Sequence, residues 1–179
     1  MAAPQSLYLV DAYSLIFQVF HALPPMTSPT GLPTNALFGF TKDMLFLRGK
    51  KPDYLVCCFD APGKTFRDEI YAEYKAHRSA MPDDLQLQTP LIRQMLDAMR
   101  IPIVEQVGFE ADDVIATLAT AGAAAGMDVF VCSSDKDCRQ LLSDRIKIYS
   151  LRKREVFDAA ALKEDWGVTP EQVIDYQAL

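Results

Sequence analysis

The chain has 179 residues, half of them apolar and 23% charged, with a formal net charge of −6. That length suits one domain with a real core, and no apolar run approaches the ~20 residues needed to cross a bilayer. No basic segment precedes the first apolar run, which Asp11 interrupts, so neither a signal peptide nor a membrane partner is expected.

The four cysteines form no C-x-x-C pair, and Cys57, Cys58 and Cys132 sit inside apolar runs. They read, with Cys138, as reduced thiols of a cytoplasmic protein, mostly small core residues.

In chain order, residues 7–10 are apolar without alternation, which predicts a strand buried on both faces, as in a parallel sheet. Tyr13 to Ala22 is a predicted helix closed by Pro24-Pro25, and Met26 to Pro33 is a loop. Leu37, Phe40, Met44 and Leu47 mark a helix from Asn35 to Arg48, stopped by Gly49 and Pro52 ahead of a strand at Tyr54 to Phe59. Gly63-Lys64-Thr65 opens a helical stretch to about Ala80, stopped by Pro82. Asp83-Asp84 is expected to cap a helix from about Leu85 to Arg100, which Pro90 is placed to break or kink.

A short strand is expected from Pro102 to Val107, then a helix from Ala111 to Ala125 ended by Gly126. A strand at Asp128 to Cys132, a short helix at Lys136 to Leu142 and a strand at Ile146 to Tyr149 follow. Glu155 to Phe157 is a candidate edge strand, and helices near 159–165 and 170–177 finish the chain. Strands alternating with helices predict an α/β domain with a mostly parallel sheet.

The chemistry concentrates where strand-like runs end. Four of them terminate in acid: at Asp11, at Asp60, at Glu110 with Asp112 and Asp113, and at Asp135 with Asp137. Three groups have an ordinary explanation: a helix start favours Glu110, Asp112 and Asp113, Ser134 and Asp135 can be an N-cap, and Asp60 a turn former, whereas Asp11, between two apolar runs, fits one least. Four such coincidences at equivalent places are harder to accept than one shared site. In an open parallel sheet the carboxyl ends of the strands are where ligands bind. Carboxylate oxygens without nearby His or Cys suit Mg²⁺ or Mn²⁺, and two ions about 4 Å apart would suit phosphoryl transfer. Setting the seven acids aside takes the charge from −6 to +1, so most of the excess is local.

Lys64, Arg67, Tyr71, Tyr74, Lys75 and Arg78 recur at helical spacing on one face, while the opposite face is only half apolar. A solvated surface face is the plain reading of that pattern. Its place directly after Asp60 favours an arch beside the site, with Lys and Arg on phosphates and Tyr stacked on a base.

These stretches together resemble the N-terminal, PIN-like region of bacterial 5′→3′ exonucleases, the flap-endonuclease-type domain at the front of DNA polymerase I. The resemblance is carried by Leu9-Val10-Asp11, Phe20-His21-Ala22, Phe59-Asp60-Ala61, Gly63 to Glu69, Tyr74 to Arg78, Met81 to Leu85, Glu110 to Asp113 and Ser134 to Asp137. It implies a three-layer α/β fold and an N-terminal exonuclease domain spanning 1–179, with an arch at about 63–84. It implies a DNA substrate with a 5′ end, flap or nick, up to two Mg²⁺ or Mn²⁺ ions, and possible covalently linked polymerase domains. Asp11, Asp60, Glu110, Asp112, Asp113, Asp135 and Asp137 would bind metal. Lys64, Arg67, Tyr71, Tyr74, Lys75 and Arg78 would bind DNA, with Lys75 and Arg78 engaging the scissile phosphate.

The chain departs from that pattern at Ala12, where the family carries glycine, and at Gln18, where a basic residue is common. The family's further Gly-Asp acids and its helix-hairpin-helix-type module are expected beyond Leu179. Two alternatives stand beside the nuclease: a metal- and DNA-binding fragment with little catalysis alone, and a PIN-type ribonuclease.

Overall fold

The apolar run that begins at Leu7 is the centre strand of the molecule. The computed structural model describes residues 3–71, 73, 74 and 80–179. Strands β1 (Ser6–Asp11), β2 (Tyr54–Cys58), β3 (Ile103–Val104), β4 (Asp128–Cys132), β5 (Ile146–Ser150) and β6 (Glu155–Phe157) form one sheet ordered β3-β2-β1-β4-β5-β6. Every pairing is parallel except the antiparallel β5–β6 edge. With β2 on one side of β1 and β4 on the other, the strand order reverses at β1, which opens a crevice at its carboxyl end.

Successive side chains of a strand point to opposite faces, and here both faces are covered. Tyr8 and Val10 pack with α1 (Ala12–Ala22), α2 (Asn35–Gly49) and α4 (Asp83–Ala98), through Ile16, Phe40, Met44, Ile92 and Leu96. Leu7 and Leu9 pack with α5 (Ala111–Ala124), α6 (Ala159–Trp166) and α7 (Val173–Gln177), through Ile115, Leu162 and Val173. The result is a three-layer α/β/α domain. All four cysteines are free and buried in it, and burial pushes the Cys58 thiol up to about 12. Among the described residues no helix is long and apolar enough to cross a membrane.

Three expectations are corrected. Among the described residues, the stretch predicted to be helical to about Ala80 forms α3 (Phe66–Ile70), which ends where Tyr71 turns to extended backbone at φ −140° and ψ 102°; residues 72 and 75–79 lie outside the described residues. A capping box between Thr65 and Asp68 starts α3, but none of its residues is buried, and so short a helix does not sustain itself without packing. Lys64, Arg67, Tyr71 and Tyr74 therefore do not share one continuous helix face. Second, the strand after Pro102 is two residues long, since only Ile103 and Val104 pair with β2 before the chain reaches polar Glu105 and Gln106. Third, α4 runs unbroken through Pro90 and begins at Asp83, so Asp83 and Asp84 lie in its first turn and do not cap it. Pro90 forfeits its own amide bond, while Leu85, Gln88, Ile92 and Leu96 stay buried on both sides of it.

One buried polar side chain ties the helices on this face together. Thr34 precedes α2 without supplying a side-chain cap. Gln88 of α4 supplies it from a distance: its Oε1 accepts the Leu37 amide at 3.0 Å. Its Nε2 donates to Asn35 Oδ1 at 3.0 Å and to the Asp84 carbonyl at 2.9 Å, and Asn35 Nδ2 donates to the Phe20 carbonyl of α1 at 3.0 Å. Gly39 allows α1 and α2 to approach, since a Cβ there would lie 2.8 Å from Val19 Cβ.

Replacing fully buried Gln88 by leucine keeps the volume but orphans the Leu37 amide and Asn35 Oδ1. Gln88→Leu is expected to cost about 2–4 kcal/mol, read as a lowered urea midpoint with an unchanged slope.

Candidate metal and nucleic-acid site

Four strand ends deliver four carboxylates to one cavity. Asp11 is the last residue of β1, Asp60 lies two residues beyond β2, Asp112 is in the first turn of α5, and Asp135 follows β4. With Tyr13, Ser14, Phe17, Met81, Arg93 and Ser134 they line a cavity of about 750 Å³.

Three of these acids, Asp11, Asp60 and Asp135, are held by backbone amides. Asp11 caps α1, its Oδ1 accepting the Ser14 amide at 3.2 Å and its Oδ2 the Ser133 hydroxyl at 2.7 Å. Asp60 Oδ1 accepts the Ala111 amide at 2.8 Å, which ties the end of β2 to the start of α5. Asp135 caps the 3-10 turn Lys136–Leu141 by accepting the Asp137 amide at 2.9 Å. Ser133 Oγ accepts the Asp135 amide at 3.0 Å, so one hydroxyl links Asp11 to the Asp135 turn. Ser14 and Ser134 hydroxyls meet at 2.6 Å beside them.

The other three acids are turned to different partners. Glu110 caps α5, and its capping box with Asp113 is closed by the Glu110 amide donating to Asp113 Oδ2 at 3.0 Å. Arg67 then grips Asp113 with two parallel bonds of 2.7 and 2.8 Å, its Nη1 lying 3.6 Å from Glu110 Oε2. Tyr74 Oη donates to Glu110 Oε2 at 3.2 Å. Asp137 accepts from Gln177 Nε2 at 2.8 Å on the exposed side of its turn.

Of the basic and aromatic residues, Arg67 and Tyr74 therefore reach the acidic cluster. Tyr71 is exposed and donates to Glu73 Oε2 at 3.1 Å, and Lys64 is exposed just before Thr65. Lys75 and Arg78 lie outside the described residues. The sequence motifs missed the two serines that hold Asp11, Ser14 through its amide and Ser133 through its hydroxyl, and Arg93. Only the Ser-Ser-Asp spelling after β4 hinted at the first group. Nothing local marked Arg93, which arrives from mid-α4.

Electrostatics agrees with a cation site. Burial raises the Asp11 carboxyl above its ordinary value, the Ser133 and Ser14 bonds pull it back, and the Asp60 and Asp135 charges raise it further. Beneath the rim, burial and then the Asp112 charge push the Cys138 thiol up to about 12. Among the described residues no three of these acids are close enough to form a ready-made ligand set. An all-oxygen donor set, spread around a cavity with room for water, fits a hard divalent ion held through few direct ligands.

Because the fold favours neutral Asp11, its contribution to stability is full below the ordinary carboxyl value near 3.8 and is lost as pH rises through the raised one. In EDTA at pH 7.5, Asp11→Asn is expected to melt higher than the parent. That gain should fade in melts taken towards pH 4.

Residues 6–167 match the family model for the 5′-3′ exonuclease, N-terminal resolvase-like domain. A 5′-3′ exonuclease of Aquifex aeolicus is 42% identical over 177 residues, covering 98% of this chain and 61% of that protein. A DNA polymerase I of Pseudomonas aeruginosa is 44% identical over 174 residues, covering 97% of this chain and 19% of that protein. The chain thus spans about three fifths of the first relative and about one fifth of the second. Two solved structures share the fold. The phage T5 flap endonuclease in a pseudo-enzyme–product complex with DNA and metal ions has a TM-score of 0.72 at 20% identity, covering 97% of this chain and 65% of that one. The T5 5′-exonuclease with bound zinc has a TM-score of 0.71 at 21% identity, covering 98% and 66%. With nearly its whole length matched, the chain belongs to the family of 5′-3′ exonuclease N-terminal, resolvase-like domains.

Proposed function

We propose that this domain holds divalent cations at its strand-end acids and hydrolyses DNA phosphodiesters near a 5′ end, flap or nick. The observation that carries the proposal is the convergence of Asp11, Asp60, Asp112 and Asp135 on one cavity at the switch point of the sheet. Family membership supplies the reaction class, and the metal- and DNA-bound T5 relatives support the ligands.

In this reading Asp11, Asp60 and Asp135 are each fixed by a backbone amide, and Asp11 also by Ser133. Asp112 and Asp135 complete the cavity wall, while Glu110, Asp113 and Asp137 act at longer range. When bound, Mg²⁺ or Mn²⁺ supplies Lewis-acid polarisation of the phosphate and makes water a competent nucleophile. The Asp113–Arg67 and Glu110–Tyr74 contacts hold the start of the arch segment against α5. Lys64, Tyr71, Lys75 and Arg78 are then the groups assigned to the 5′ strand, with Lys75 and Arg78 at the scissile phosphate. Linked polymerase domains, as in the DNA polymerase I relatives, are part of the proposal for the whole protein. The four unpaired thiols suit a cytoplasmic setting.

The absence of a three-acid ligand set among the described residues favours a second reading, in which the chain alone binds metal and DNA with little turnover. Incubation of the chain with a labelled 5′-flap DNA and with its RNA counterpart, in Mg²⁺ and in Mn²⁺, separates the readings. DNA cleavage that EDTA abolishes is expected, and RNA-selective cleavage would reject the assignment in favour of a ribonuclease.

Asp112→Ala should lower kcat by a factor of about 10² to 10³ while leaving the melting curve intact. Calorimetric titration at millimolar Mg²⁺ should find at most one well-occupied ion, and two tight sites would contradict the spread-out geometry.

A further inference from the structure

Among the described residues lining the acid cavity, one carries a positive charge: Arg93, from the middle of α4. Its Nη2 bonds Glu105 Oε2 at 2.5 Å, and its guanidinium lies over the Phe59 ring with 4.4 Å to the centroid. Phe59 is fully buried and directly precedes Asp60, so this stacking fixes the cation beside the strand end that carries an acid of the cavity. Phe59 is itself braced by the edge of Tyr13 at 5.3 Å, and Tyr13 lines the same cavity.

Two features separate this arrangement from a plain surface ion pair. A guanidinium has five N–H donors, and among the described residues Arg93 uses donors on Glu105 alone. Its ion pair is made to Glu105 and to none of Asp11, Asp60, Asp112 or Asp135, although it shares their cavity. The side chain is 32% exposed, so the remaining donors have access to solvent and to a ligand. A rigid, aromatic-backed guanidinium with spare parallel donors is the group best suited to bind phosphate oxygens.

We propose that Arg93 is a substrate-phosphate contact: it donates to non-bridging oxygens of a phosphodiester on the strand that enters the cavity, with Glu105 and Phe59 as its mount. This rests on the nucleic-acid reading above and adds to it a cation outside the arch. The acids repel a polyanion at close range, and a fixed positive group beside the strand end at Asp60 draws the backbone in. Because the contact is made on approach as well as at the reacting step, its removal acts mainly on binding.

The test uses a fluorescent 5′-flap oligonucleotide, with anisotropy in Ca²⁺ across a KCl series and cleavage in Mg²⁺. Arg93→Ala is expected to raise Kd about tenfold and to reduce the slope of log K against log salt by about 0.7–0.9, the value of one phosphate contact. KM should rise by a similar factor while kcat changes less than about threefold. Arg93→Lys should recover the slope and only part of the affinity, since lysine lacks the fork. Arg145→Ala removes a charge paired with Asp128 at the other end of β4 and should leave slope and Kd unchanged. If the alanine variant does not fold, Arg93→Gln, which still reaches Glu105, carries the same outcomes. Parental Kd, slope and KM in a folded variant would overturn the role of Arg93 while leaving the nuclease reading in place. A parent chain that binds neither DNA nor RNA would overturn both.

Discussion

Like-charge crowding at the carboxyl edge of the sheet is the constraint on which the rest of this domain depends. Parallel pairing of β1 with both β2 and β4 brings the ends of three strands level, and each end carries an aspartate at or just beyond it. Asp11 shows the cost: burial first, and then the charges of Asp60 and Asp135, raise its carboxyl above the ordinary value. The surrounding structure answers with amides and hydroxyls. Ser14 and Ala111 amides and the Ser133 hydroxyl each meet an acid, so the repulsion is borne by rigid, directional bonds. In the proposed function, bound cations would replace that repulsion by attraction.

The same electrostatics explains the division among the seven acids. Asp11, Asp60 and Asp135, which line the cavity, each accept a backbone amide. Glu110 and Asp113 instead serve as the landing point for Arg67 and Tyr74. The segment after Asp60 is thereby moored to the helix that carries Asp112, although α3 buries none of its own residues. Ion pairing substitutes for hydrophobic packing at this joint. Stability on the opposite face of the sheet comes from other sources, chiefly the apolar contacts of α1, α2 and α4 and the Gln88 network between them.

Much of the site was legible in the chain because its parts are local. An aspartate at the end of an apolar run remains at the end of a strand in whatever fold the run adopts, and the helix starts after Asp11 and Glu110 follow from capping chemistry. The helical stretch expected after Thr65 breaks at Tyr71 for the opposite reason. Spacing at 3.6 residues states which side chains would share a face if a helix formed, and α3 lacks the buried contacts that would extend it past Ile70. The end of β3 was misjudged because its length is set by pairing with β2, a non-local event.

What the sequence by itself determined is the alternation of strand and helix, the two-sided burial of β1, and the acids at strand ends. Each of these follows from periodicity and short-range chemistry. Tertiary structure alone decided which acids share a cavity, since that depends on strand order and on the direction of each carboxylate. It also decided that Gln88 caps a helix 51 residues away and that Arg93 stands over Phe59 at the cavity wall. These contacts join residues from separate elements, and no local spacing encodes the distance between elements until the sheet has paired.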